Sequence, residues 1–292
     1  MKTIFIATDF SPAAHNATLY GIALAMEFDS EVILFNAFQV PIMPPAAIDI
    51  VSSSEMIEKV NTLFEDELHS INSINPSSIK IIFEESLPAS GILQKAADLN
   101  ADLIIIGMKT RGKGLRHFID STATILARRT NIPLLIIPET VRFSVPKIIT
   151  LASDIIEETR ANIHLLYFLR QIAEKFESRI HVLRVGKGKF RELHELAKPG
   201  QHLNSLLAKL DVTYESADDN NVTHGLMEFI KEKKADLLVM IPHKHDFLER
   251  VFIKSETKEM LFHTSIPMLV LPENPKMTPN HKAILSDRER LL

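Results

Sequence analysis

Residues Ala101 to Pro138 recur at Ala235 to Pro272 without a gap, 134 positions further on. A chain that carries one unit twice is constrained to fold as two copies of one module. Ala101-Asp102-Leu103 matches Ala235-Asp236-Leu237, Asn131-Ile132-Pro133 matches Ser265-Ile266-Pro267, Ser121 falls on Ser255 and Pro138 on Pro272. Upstream, Ile149-Thr150-Leu151-Ala152-Ser153-Asp154 echoes Ile4-Phe5-Ile6-Ala7-Thr8-Asp9 at an offset of 145. The two offsets, 145 and 134, assign 11 extra residues to the first copy, with Pro41–Pro45 as the natural place for them.

Within each copy, short β-branched runs alternate with helical patterns. Thr3–Ala7, Val32–Phe35, Ile79–Phe83, Leu103–Ile106 and Leu134–Ile137 read as strands in the first copy. In the second they are Lys147–Ala152, Arg179–Val185, Val212–Glu215, Leu237–Ile241 and Met268–Leu271. The runs are continuously apolar rather than alternating, the pattern of strands covered on both faces. Ser11-Pro12 predicts an N-cap with proline in the first helical position, followed by a stripe of Leu19, Ile22, Ala23 and Met26. Further helices are expected at 55–70, 88–99 and 121–130. In the second copy Leu165, Leu169, Ile172, Ala173 and Phe176 form the stripe of the first helix. Strand–helix alternation implies right-handed βαβ units and a parallel, doubly wound sheet.

Composition narrows the function classes. The 292 residues are 46% hydrophobic and 24% charged, which suits two globular modules. A net charge of −4 lacks the basic surplus of a dedicated nucleic-acid binder. The chain has no cysteine, which excludes disulfides, thiolate metal sites and a Cys nucleophile. No apolar run approaches the ~18 residues of a membrane span, and the expected location is cytoplasmic.

With Asp9 after strand one, Ala-Asp-Leu-Ile-Ile-Ile-Gly at strand four and Ile-Pro-Leu-Leu-Ile-Ile-Pro at the last strand, each half resembles the universal stress protein family. The resemblance implies an α/β fold of two tandem five-stranded parallel-sheet modules, Rossmann-like and similar to the adenine nucleotide alpha hydrolases. The modules are expected at residues 1–144 and 145–275, followed by a tail, 276–292. It also implies an internal pseudo-dimer in which the last strands pair, Leu134–Ile137 against Met268–Leu271, removing two exposed edges. Further association into a homodimer is left open.

ATP-binding members of that family carry G-x2-G-x9-G-[ST] after strand four. Glycines admit backbone amides to phosphates, and the Ser or Thr opens a helix whose N-terminus favours anions. The resemblance therefore implies a first-module nucleotide site of Thr8, Asp9, Ile106, Gly107, Thr110, Arg111, Gly112, Gly114, Ser121 and Thr122. Thr110 and Asp120 stand where the second and third glycines belong. Asp120 would repel a phosphate at about 4 Å by about 1 kcal/mol in water and about 4 kcal/mol at an effective dielectric near 20. Lys109, Arg111, Lys113 and Arg116 oppose it. In the second module all three glycines are gone. Asp154, His243, Lys244, His245 and Ser255 are its degenerate equivalents, and Pro242 removes an amide donor.

The same residues have plainer explanations. Ser121 and Ser255 would cap a helix whatever the ligand, and Asp9 and Asp154 can close the turn into helix one. Gly107 to Gly114 falls one residue short of a P-loop and follows strand four rather than strand one. His243-x-His245 lacks a third ligand, so no metal is expected. Glu58, Glu65, Asp66 and Glu67 read as a solvated helix face, and Met108, Met240 and Met268 as core filler. No nucleophile–base arrangement stands out. The expectation is a non-catalytic stress-response protein that binds a small ligand, an adenine nucleotide in the first module being the candidate, or a partner protein. A slow or self-phosphorylating ATPase and a ligand-free scaffold are the alternatives.

Overall fold

The computed structural model describes residues 1–40, 53–71, 79–109, 122–152, 160–186, 210–219, 221–241 and 266–272. The first half contains β1 (Thr3–Ala7), α1 (Pro12–Phe28), β2 (Glu31–Phe38), α2 (Ser53–Ile71), β3 (Ile79–Glu85), α3 (Pro88–Asp98), β4 (Leu103–Met108), α4 (Thr122–Arg129) and β5 (Leu134–Pro138). The second contains β6 (Ile148–Ala152), α5 (Arg160–Phe176), β7 (Arg179–Gly186), β8 (Asp211–Asp218), α6 (Val222–Lys233), β9 (Leu237–Met240) and β10 (Met268–Val270). No helix among the described residues is long and apolar enough to cross a membrane.

The ten strands among the described residues form one sheet in the order β3-β2-β1-β4-β5-β10-β9-β6-β7-β8. The second half of that order mirrors the first. Every pairing is parallel except the central one, where β5 and β10 run antiparallel. Leu135 sits opposite Leu269, with Leu134 opposite Val270 and Ile136 opposite Met268. Leu269 is the repeat equivalent of Leu135, so a pseudo-twofold axis runs between them. On one face of the sheet the axis passes between Phe28 and Phe176, the last residues of α1 and α5, whose rings meet edge-on at 5.5 Å. The expected pairing of the last strands is present.

Equivalent hydrogen bonds recur about this axis. The Asp102 carboxylate accepts from the amides of Lys2 (2.6 Å) and Thr3 (3.2 Å). Asp236 accepts likewise from Lys147 (2.9 Å) and Ile148 (2.8 Å). Each aspartate ties the start of its module's first strand to the turn before the fourth. The core divides by sheet face, not by half. One cluster joins α1, α2 and α5 residues to Leu135, Ile137, Leu269 and Leu271, and the other joins α3, α4 and α6 residues to Leu134, Ile136, Met268 and Val270. Each face is one apolar layer running through both modules.

Several expectations change. Of the expected helix-one stripe only Ile22 is buried: Leu19 and Ala23 are half-buried and Met26 is 56% exposed, while Ala13, Ala14, Ala17, Tyr20, Gly21, Leu24 and Ala25 are buried. Sandwiching under the linker and against β4 and β5 buries more of α1 than one amphipathic face. The length difference is not one insertion of 11. Asp29 and Glu177, both left-handed residues after the first helix, are 148 apart, whereas β3 and β8 align at 133, Ile79 and Val212 pairing with the equivalent residues Val32 and Ile180. The first copy is thus 15 residues longer between its second and third strands (148 against 133), and the second copy has seven residues, 153–159, where the first has four, 8–11, before the helix. Pro41–Pro45 lies outside the described residues.

Candidate functional site

The strand order reverses between β1 and β4, the switch point beyond whose carboxyl ends open α/β sheets place their ligands. In the first half the turn from β1 into α1 is fully specified by short-range bonds. The Thr8 amide donates to the Phe35 carbonyl at 2.8 Å, extending the β1–β2 ladder. Thr8 Oγ1 accepts from the Phe10 amide at 2.9 Å, and Asp9 Oδ1 accepts from the Ser11 amide at 3.0 Å. Ser11 Oγ then accepts from the Ala14 amide at 3.3 Å, and Pro12 opens the helix, the predicted cap. Phe10 takes a left-handed φ of 59° in the middle of this turn. Thr8 is buried and Asp9 remains exposed at the crevice rim.

The floor is Gly107, which follows Ile106 near the end of β4. A β-carbon there would lie 2.2 Å from the carbonyl oxygen of Ala13 and 2.7 Å from the Ala14 nitrogen. Both are backbone atoms of the first turn of α1, so glycine is what lets this helix end settle directly on β4. In the second half the equivalent position is Ile241, 4% exposed, so the floor of that crevice carries a buried side chain, and its strand–helix connection is three residues longer. The two switch points are not equivalent.

Of the expected nucleotide residues, Thr8, Asp9, Ile106, Gly107 and Thr122, which starts α4, are described, and the first four adjoin one another at the β1–β4 end. Thr110, Arg111, Gly112, Gly114 and Ser121 lie outside the described residues, as do Asp154, His243, Lys244, His245 and Ser255 of the second half. Met108, Met240 and Met268 are buried in the core as expected.

Two side chains near the first crevice escaped sequence reasoning. Asn36, 6% exposed, donates from Nδ2 to the Thr8 carbonyl at 2.8 Å, and its Oδ1 is buried without a partner. The signal was a lone amide at the end of an apolar strand, Val32-Ile33-Leu34-Phe35-Asn36. Glu67 is 8% exposed and pairs with His15 Nδ1 at 3.0 Å, which corrects its assignment to a solvated face; Glu58, Glu65 and Asp66 do face solvent. Glu67 falls in register with Val60, Phe64 and Ile71, the buried side of α2, and this spacing was readable.

The second half has a polar cluster of its own. His181 Nδ1 lies 2.7 Å from both Thr213 Oγ1 and Glu215 Oε1, and Lys233 reaches Glu215 Oε2 at 2.6 Å. Burial alone would raise the Glu215 pKa, but hydrogen bonds from Lys233 and His181 hold it below the usual carboxylate range. The first-half positions corresponding to His181, Thr213, Glu215 and Lys233 are Ile33, Lys80, Ile82 and Leu99. These charges satisfy one another and fix the edge strand β8 to α6.

The sequence matches the universal stress protein family over residues 1–138 and 152–272. A universal stress protein of Methanocaldococcus jannaschii is 31% identical over 144 residues, covering 47% of this chain and 81% of that protein. The crystal structure of a universal stress protein from Archaeoglobus fulgidus superposes with a TM-score of 0.72 at 14% identity, covering 93% of this chain and 98% of that one. A protein of unknown function from Pseudomonas aeruginosa gives a TM-score of 0.55 at 14% identity over 100% of this chain and 98% of its own.

Proposed function

The chain belongs to the universal stress protein family, and on that footing we propose that it is a non-catalytic stress-response protein with one working small-ligand crevice, in the first module. The ligand class that fits the family pattern is an adenine nucleotide. The supporting observation is the asymmetry of the two switch points. At β1–β4, Gly107 seats the capped first turn of α1 against the strand end, beside Thr8 and exposed Asp9. At β6–β9, Ile241 occupies the floor position. Backbone amides at a helix start favour anionic groups, and Gly107 is what lets this helix start lie against the end of β4. Thr8 and Asp9 are bonded to turn amides, which is positioning chemistry rather than proton transfer.

Thermal unfolding with ATP, ADP and AMP, each with and without magnesium, tests this reading. A nucleotide at a hundredfold excess over its dissociation constant should add about 2.7 kcal/mol of stability. An unchanged Tm with all three would overturn the nucleotide assignment.

A further inference from the structure

Among the described residues, Phe10, Asp29, Asn100, Glu177 and Lys234 are the non-glycine residues with a positive φ. The last four close helices: Asp29 and Lys234 are the C-caps of α1 and α6, and Asn100 and Glu177 follow the ends of α3 and α5. A left-handed residue is ordinary in that position. Phe10 is the exception, since it precedes a helix and carries a bulky side chain that disfavours its φ of 59°. The bond from its amide to Thr8 Oγ1, and those that tie Thr8 to Phe35 and Asn36 of β2, shape the turn around it. None of them acts on the Phe10 side chain.

That contact comes from α2. The Phe10 ring meets the Phe64 ring edge-on, with centroids 4.9 Å apart and planes at 83°, a favoured aromatic geometry. Phe64 is 2% exposed and lies against Phe83 of β3, 6.1 Å away between centroids, so it offers a fixed surface. One helical turn further along α2, Glu67 pairs with His15 in the first turn of α1. The same side of α2 thus backs both ends of the segment from Phe10 to His15. We propose that Phe64 is a positioning residue for the first crevice: its ring props Phe10 in the left-handed conformation and so keeps the Thr8–Ser11 turn, with Asp9 at the rim, in its ligand-receiving form. Phe64 is buried and acts through Phe10. Without the ring, the backbone relaxes toward the negative φ that a β-carbon prefers, and the bond from the Phe10 amide to Thr8 Oγ1 opens. Glycine adopts a positive φ without steric cost and needs no prop. That difference separates a prop from ordinary core packing.

Single-residue hydrogen exchange of the full chain tests this, read at the Thr8 and Phe10 amides with the α3 amides as reference. Phe64→Leu keeps an apolar side chain in the core but removes the ring. It should speed exchange at both turn amides about tenfold or more while leaving α3 unchanged. Combined with Phe10→Gly, the same substitution should add no acceleration over Phe10→Gly alone. Unchanged exchange in Phe64→Leu, or equal acceleration with and without Phe10→Gly, would overturn the prop. Should Phe64→Leu not fold, Phe10→Ala is compared with Phe10→Gly. Both lack the ring, yet only alanine should loosen the turn, and equal exchange in the two would overturn the prop. The consequence for binding rests on the nucleotide reading above: ATP should bind the Phe64→Leu chain more weakly than the parent and regain affinity when Phe10→Gly is added. Equal affinity of parent and Phe64→Leu would overturn the positioning role. A parent chain that does not bind ATP would overturn the nucleotide reading alone, and the exchange comparison would still decide the prop.

Discussion

A methyl group on Gly107 would have to displace the first turn of α1, because its nearest neighbours are backbone atoms that cannot rotate away. Gly107→Ala should therefore destabilise the protein by about 1–3 kcal/mol, the usual cost of overpacking, measurable as a lower urea midpoint with unchanged slope. A midpoint within error of the parent would mean that α1 is not seated as described. A second residue-level prediction concerns His224, whose Nδ1 lies 2.6 Å from Asp219 Oδ2 beside the Asn221 cap of α6. The hydrogen bond to Asp219, and then its charge, raise the His224 pKa above the ordinary 6.5. A raised pKa stabilises the fold below the unfolded value of about 6.5 and ceases to do so as pH rises through the folded value. Asp219→Asn should remove that part of the pH dependence, read from midpoints at pH 5 and pH 9. An unchanged difference between the two midpoints would contradict it.

At the scale of elements, the two aspartate ties are the most economical part of the design. Asp102 and Asp236 each satisfy two amides at the start of a first strand. Replacing either by Ala leaves backbone donors short of a partner and should cost about 1–3 kcal/mol, each measured by chemical denaturation. If only one of the two variants loses stability, the halves are less alike than the hydrogen bonds indicate. Strands and helices were largely legible because burial on two faces writes long β-branched runs into a sequence, and Ser11-Pro12 announced its cap. What was not legible has physical causes. Repeat anchors such as Asp9/Asp154 and Pro138/Pro272 report only the net length difference, so the opposing changes before the first helix, between the second and third strands, and by one residue after the third strand merged into one apparent insertion. Gly107 read as a phosphate glycine, whereas its local duty is clearance for α1. Glu67 read as one acid among several, and only its partner across the helix pair explains why it is buried.

For the whole molecule, the consequence of a core divided by sheet face is that neither module owns its apolar layers. Leu135 and Leu269, 5% and 1% exposed, face each other on the axis within one of those layers. Leu135→Ala and Leu269→Ala should each cost about 2–5 kcal/mol, and in both variants the two halves should unfold in a single transition seen alike by circular dichroism and fluorescence of a reporter in either half. Two separate transitions would show the modules to be independent. Against that shared framework, the difference between Gly107 and Ile241 is the centre of the functional account. Hydrogen exchange of the full chain with and without saturating ATP measures it most directly. The account predicts slower exchange at residues 8–15 and 104–109, with residues 149–152 and 237–241 unchanged; protection confined to the second set, or equal in both, would contradict it.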